Sequence, residues 1–192
     1  MKVVNVNSEI KKRLKESGLL DKMTNLGECD FLVIDEHDGK IIGASGIGGK
    51  LHVHTMIVHD EFRNKGIGSL LLKDTITETK KRNYPFIMAS RDPENISIVK
   101  LHNFFELMPI FQVKYKKDFT RDVIFLSFSK KGDIFKKNLM LFNSKIGMVI
   151  LMTLIKILKK TLFKKILTYS PDEFPDPDVG YSIKNFKKIN SK

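Results

Sequence analysis

Apolar positions fall in short runs broken by glycine and asparagine turns up to about residue 130, and then at helical spacing. Residues 3–6 predict a short strand. Ser8 predicts a helix cap, and Ile10, Leu14, Leu19 and Leu20 carry the helix from residue 9 to about residue 23. Residues 31–34 predict a strand. Asp38-Gly39, within residues 35–40, predicts a tight hairpin turn, and residues 41–47 return as the next strand. Gly48-Gly49 turns the chain into a third strand over residues 51–58, which completes an antiparallel meander. A helix is predicted over residues 69–82, stopped by Asn83-Tyr84-Pro85. Residues 86–90 read as a strand, 91–95 as a loop and 96–107 as a helix rich in Leu and Phe. Residues 111–115 and 123–128 form a last hairpin-like pair. The order is strand, helix, three strands, helix, strand, helix, two strands. That is a mixed α/β order with one strand–helix–strand crossover and no internal repeat.

The chain of 192 residues can bury one real core plus an appendage. Its 42% hydrophobic and 29% charged residues fit a soluble globular protein. The single Cys29 excludes an internal disulfide framework and fits a reducing compartment. Residues 1–10 lack the apolar core of a signal peptide, so a cytoplasmic location is expected.

Charge changes the picture at the far end. Of the net +12, residues 131–192 hold +8 (13 Lys, 5 acids), and residues 1–130 hold +4 (21 basic, 17 acidic). The excess can solvate helices, or it can draw the chain to an anionic surface. No nucleic-acid motif or aromatic–basic interleaving is present, so a nucleic-acid partner is not expected.

The richest candidate chemistry is Arg63-Asn64-Lys65-Gly66-Ile67-Gly68, followed by Ser69. It lies between a strand and a helix start. Unpaired N–H groups and the helix dipole favour an anion there. Gly66 and Gly68 let a pyrophosphate approach the backbone, and Arg63 and Lys65 add charge at the rim. A dinucleotide fingerprint would need glycine at Leu71, and no Gly-Lys-Ser/Thr follows for a Walker loop. The remaining R-x-x-G-x-G pattern resembles the pyrophosphate loop of the GNAT superfamily of N-acetyltransferases, and the element order over residues 1–130 resembles theirs too. The resemblance implies an α/β (α+β) fold with a mixed, mostly antiparallel sheet flanked by helices. It also implies acetyl-CoA as co-substrate and an amine acceptor, either a small molecule or a peptide.

Four histidines add to this. His52 and His54, two apart on a predicted strand, should share one face. They precede Arg63 at the separations seen in arylalkylamine N-acetyltransferases, with Val58, His59 and Phe62 between. An amine attacks a thioester only when neutral, so a proton acceptor is needed. His52 is expected as the base, directly or through water, with His54 as partner or relay. The alternative is that both are polar residues on a half-exposed strand. A metal site of His52, His54 and His59 lacks a completing ligand and is not expected. Asn95, with Leu101-His102 after it, resembles the family segment that contacts the cofactor arm, with His102 where tyrosine usually serves as the acid. Glu106-Leu107 replaces the usual Gly-Phe. Tyr84 and Tyr115 are fallback acids. The resemblance further implies that the strand edge at Met56, Ile57 and Val58 bonds the pantetheine arm, with an amide near Ile57 polarising the thioester carbonyl. Cys29 lies outside every matched motif and is not expected as a nucleophile. A non-catalytic acyl-CoA sensor, or a module that docks on a membrane or partner, is the rival from another class.

Residues 131–192 extend beyond the resemblance and read as a basic helical extension. Leu151, Leu154, Ile155, Leu158, Leu162 and Ile166 are expected on one helical face, with Lys156, Lys160 and Lys164 opposite. Such a helix can pack on its own domain, pair with a second copy or lie on an anionic membrane. The apolar run over residues 146–158 is too short for a confident span. Residues 171–180 read as a linker and 181–192 as a mobile end.

Overall fold

The computed structural model describes residues 1–114 and 120–158; the expectations for residues 159–192 and for Tyr115 lie outside the described residues. Strand β1 (Lys2–Asn5) leads into α1 (Ser8–Glu16). Asn7, not Ser8, caps α1: its Oδ1 accepts the Ile10 N–H at 2.9 Å. The predicted single helix breaks at Gly18, which has φ 72°, and a short α2 (Leu19–Lys22) follows. The meander is β2 (Phe31–His37), β3 (Lys40–Gly48) and β4 (Val53–Val58). Asp38 and Gly39 take φ of 48° and 77° at the tight turn, as two-residue hairpins require. Then come α3 (Ile67–Lys81), β5 (Phe86–Arg91), α4 (Ile96–Phe104), β6 (Met108–Lys114), β7 (Thr120–Ser127), α5 (Lys130–Met140) and α6 (Lys145–Leu158).

The strands form one sheet of order β1-β2-β3-β4-β5-β7-β6. Every neighbouring pair is antiparallel except β4 with β5. The sheet is therefore the mixed, mostly antiparallel one expected. The last hairpin lays its second strand, β7, against β5.

Periodicity explains the packing. Along α3 the buried Leu71, Leu72 and Ile76 press onto Phe31, Ile47 and Ile87 of the sheet. Each such side chain contributes about 1.5–3 kcal/mol on full burial. On the other side, Ile10, Leu14, Leu19 and Leu26 cover Leu32 and Ile34. A third cluster joins Phe86, Phe125 and Ile110 to Phe135 of α5, whose ring stacks on Phe86 with centroids 4.6 Å apart. Gly46 in β3 is required by close approach, since a Cβ there would sit 2.3 Å from the Phe31 carbonyl oxygen.

One irregularity positions everything that follows. β4 and β5 share a single residue pair, Val53 with Met88, fixed by the Met88 N–H to the His52 carbonyl at 3.2 Å. Beyond it the strands diverge, and β4 keeps its ladder only to β3. The His59 N–H bonds the Ile42 carbonyl of β3, so in the alternating ladder Ile57 also faces β3. Met56 and Val58 therefore turn their backbone groups toward the gap. This corrects the expectation for Ile57, whose amide belongs to the β3 ladder.

Candidate functional site

The gap between β4 and β5 opens into a cavity of about 150 Å³. His54, Thr55 and Met56 line it from β4, Ala89 to Arg91 from β5, and Asn95, Ile98 and His102 from α4 and its approach. Asp92, Arg121 and Met23 complete the wall.

His54 sits at its base. The ring is buried, and Nε2 lies 2.9 Å from the Ser45 hydroxyl. The Thr75 hydroxyl is 2.8 Å from both Ser45 Oγ and the Leu71 carbonyl oxygen. A hydroxyl has one proton. When Thr75 gives it to Leu71, Ser45 turns its own proton to Thr75 and accepts the Nε2–H of His54. In that arrangement Nδ1 of His54 is bare and able to accept a proton. Burial, and next the nearby His102, push the His54 pKa down to about 3. The His102 ring stands edge-on to it, centroids 6.2 Å apart. His102 is 4% exposed, and neither ring nitrogen has a partner among the described residues. Burial and then the Arg91 cation lower its pKa to about 4.

Arg91 underlies this end. It was expected in a loop but closes β5, and its side chain is 4% exposed. Its guanidinium reaches Asp122 at 3.5 Å, the Val99 carbonyl at 3.3 Å and Asn103 Oδ1 at 3.0 Å. Gln112 donates to Asp122 at 2.8 Å.

His52 is elsewhere. β4 begins at Val53, and His52 has φ 48°, so the two-residue alternation that would pair it with His54 does not hold. Its ring packs on Tyr84 and Phe86, centroids 4.6 and 4.9 Å away. Burial lowers its pKa. Tyr84 donates to Asp30 at 2.9 Å, and burial followed by that bond pushes its pKa up to about 12. It does not line the gap. Cys29 is buried, which raises its thiol pKa. His59 turns to Phe62. Among the described residues, no three His, Cys, Asp or Glu side chains gather as metal ligands would.

The glycine-rich loop lies at the outer end of β4. Gly66 takes φ 79° directly before α3, and no side chain caps that helix. The N–H groups of Ile67 and Gly68 are thus open to an anion, while those of Ser69 and Leu70 bond the Gly66 carbonyl at 3.0 and 3.2 Å. Gly68 faces Met56 and Val58, the side chains nearest a Cβ placed there being 3.8–3.9 Å away. Asn64 has φ 62°, Ile67 and Ser69 are half-buried, and the Lys65 ammonium sits over Phe62 at 4.9 Å. Arg63 pairs with Asp60 at 2.7 Å and donates to the Val58 carbonyl at 3.4 Å. Asn95 caps α4, accepting the Ile98 N–H at 3.1 Å.

Of the expected site residues, the fold brings His54, His102, Met56 and Asn95 to one cavity, with the loop at one end. It sets His52 apart. Ser45, Thr75 and Arg91 were not anticipated. A polar Ser45 in an apolar strand, and Thr75 on the helix stripe of Leu71 and Leu72, were the available signals.

Two buried histidines held neutral make folding pH-dependent. Their folded pKa values lie below the unfolded value of about 6.5, so the unfolded chain takes up protons first on acidification. Stability should be complete above that value and fall as pH drops toward 4. Urea titrations should register a loss on the order of 5 kcal/mol by about pH 4.5, and a His54→Gln/His102→Gln variant should lose much of this dependence. An unchanged slope in the variant would assign the effect to other groups.

Residues 5–97 match the acetyltransferase (GNAT) domain family. An N-acetyltransferase from Staphylococcus aureus Mu50 is 28% identical over 50% of this chain and 66% of its own, with a TM-score of 0.44. A provisionally assigned acetyltransferase from Salmonella typhimurium, solved with its cofactor acetyl-CoA, is 16% identical over 68% of this chain and 95% of its own, with a TM-score of 0.51. Another, from Acinetobacter baylyi, is 14% identical over 66% and 92%, with a TM-score of 0.52. The last two share the fold.

Proposed function

We propose, from the match of residues 5–97 to the acetyltransferase (GNAT) domain family, that the chain moves an acetyl group from acetyl-CoA to a primary amine by direct transfer in a ternary complex. The observation that carries this reading is the split between β4 and β5, with an open helix start at one end and two neutral, buried histidines at its base. In this reading the acceptor is a small-molecule amine, with a peptide amine as the alternative.

The residues present fit such a co-substrate. Arg63, Asn64, Lys65, Gly66, Ile67, Gly68 and Ser69 would hold the pyrophosphate through backbone N–H groups and rim charge. Met56 and Val58 would bond the pantetheine arm as an added strand would, with Asn95 beside it. Acetyl-CoA supplies the activated acetyl thioester when bound. The Met56 amide, next to Ile57, would polarise the carbonyl. His54 takes the amine proton at Nδ1, while Ser45 and Thr75 hold its ring. Burial keeps His54 neutral at rest, so that Nδ1 carries a lone pair for that proton. His102, neutral at rest, would give the leaving thiolate a hydrogen bond from its ring N–H.

The test is release of free coenzyme A thiol from acetyl-CoA across aryl and alkyl amines, polyamines, amino acids and short peptides. Release that depends on one amine class is expected. Tight acetyl-CoA binding with no release for any amine would favour the sensor reading.

A further inference from the structure

We propose that the outer face of α6 docks on an anionic lipid bilayer. α6 packs inward through Leu151, which meets the cluster of Phe86, Ile110 and Phe125. Leu154 was expected on the same face, but it points outward. Ile146, Val149, Ile150 and Leu154 are 76%, 50%, 49% and 42% exposed, and Leu141 just before the helix is 75% exposed. The helix positions follow the spacing i, i+3, i+4, i+8, one continuous stripe of a helix. Among the described residues nothing covers it. Single exposed apolar residues are ordinary, but an aligned stripe of branched ones marks a contact surface.

Charge selects the occupant. Residues 134–170 carry eight lysines and no aspartate or glutamate. Two copies meeting along this stripe would bring both lysine sets together, in a chain that already has a net charge of +12. A bilayer of anionic lipids offers the opposite charge and an apolar layer beneath it. Each lysine near such a surface strengthens binding about fivefold. No described helix is long and apolar enough to cross a membrane, so the helix would lie in the interface plane.

The full chain should sediment with vesicles of phosphatidylcholine and phosphatidylglycerol, at least about tenfold more strongly than with phosphatidylcholine alone, and high salt should release it. Val149→Asp/Ile150→Asp should reduce binding about tenfold or more at unchanged thermal stability. The chain contains no tryptophan, so Val149→Trp gives a single reporter without removing apolar surface. Its emission should shift to the blue only with anionic vesicles. Equal binding to both lipid types, no sedimentation and no emission shift, or a dimer by light scattering that Val149→Asp/Ile150→Asp splits, would overturn the proposal.

Discussion

His54→Ala should lower kcat about a hundredfold to ten-thousandfold while acetyl-CoA affinity stays within about threefold, the signature of a lost proton acceptor. The reason is positional. His54 is the histidine whose second nitrogen is occupied inside the fold, by Ser45, so that its other nitrogen is left for chemistry. Ser45→Ala should give a smaller loss, because the ring remains but its tautomer is no longer fixed. His52→Ala should cost less than tenfold, since its ring lies against Tyr84 and Phe86 away from the cavity. Steady-state rates for the three variants, with calorimetric binding of acetyl-CoA to each, decide the order. A larger loss for His52 than for His54 would return the role of base to the residue that strand alternation alone favoured.

Arg91→Met should destabilise the fold by about 3–5 kcal/mol and lower Tm by about 10 °C, the largest effect expected of a single side chain here. Removing the guanidinium takes the charged partner from the Asp122 carboxylate, which is 5% exposed and keeps the Gln112 amide as a donor. It also unties Arg91 from Val99 and Asn103 of α4, the helix that carries His102. Arg91→Met/Asp122→Leu should recover a substantial part of the loss, because a buried pair replaced together leaves no uncompensated charge. Denaturant melts of both variants test this. A double variant no more stable than Arg91→Met would mean that the bonds to α4, not the ion pair, carry the effect.

Much of the architecture was legible because the meander, the crossover and α3 rest on local signals. Asp38-Gly39 sets its turn, Asn83-Tyr84-Pro85 ends its helix, and the apolar runs are strand-length. The turn at Arg63 to Gly68 that leads into α3 was legible for the same reason, since a helix start is built from consecutive residues. The histidines were not. Whether His52 shares a face with His54 depends on where β4 begins, and one residue with φ 48° decides it. Spacing in the sequence carries no such information. Nor does it reveal Arg91, whose partner Asp122 is 31 residues away and comes beside it only because β7 enters the sheet next to β5. The cap of α1 was misplaced by one residue because Asn7 and Ser8 are both good caps.

The single backbone pair between Val53 and Met88 has a consequence for how the molecule fluctuates. On one side lie β1 to β4, of which β2, β3 and β4 follow one another through short turns; on the other lies the β6–β7 hairpin with β5, which is distant from β7 in the chain. Such a seam divides a sheet into separately cooperative units, which open with their own free energies. The amides of β2 and β3 and those of β5 and β7 should then exchange with solvent hydrogen as two populations. A ligand threaded along the seam would bridge them, so that occupancy slows exchange in both halves at once, including at residues it never touches.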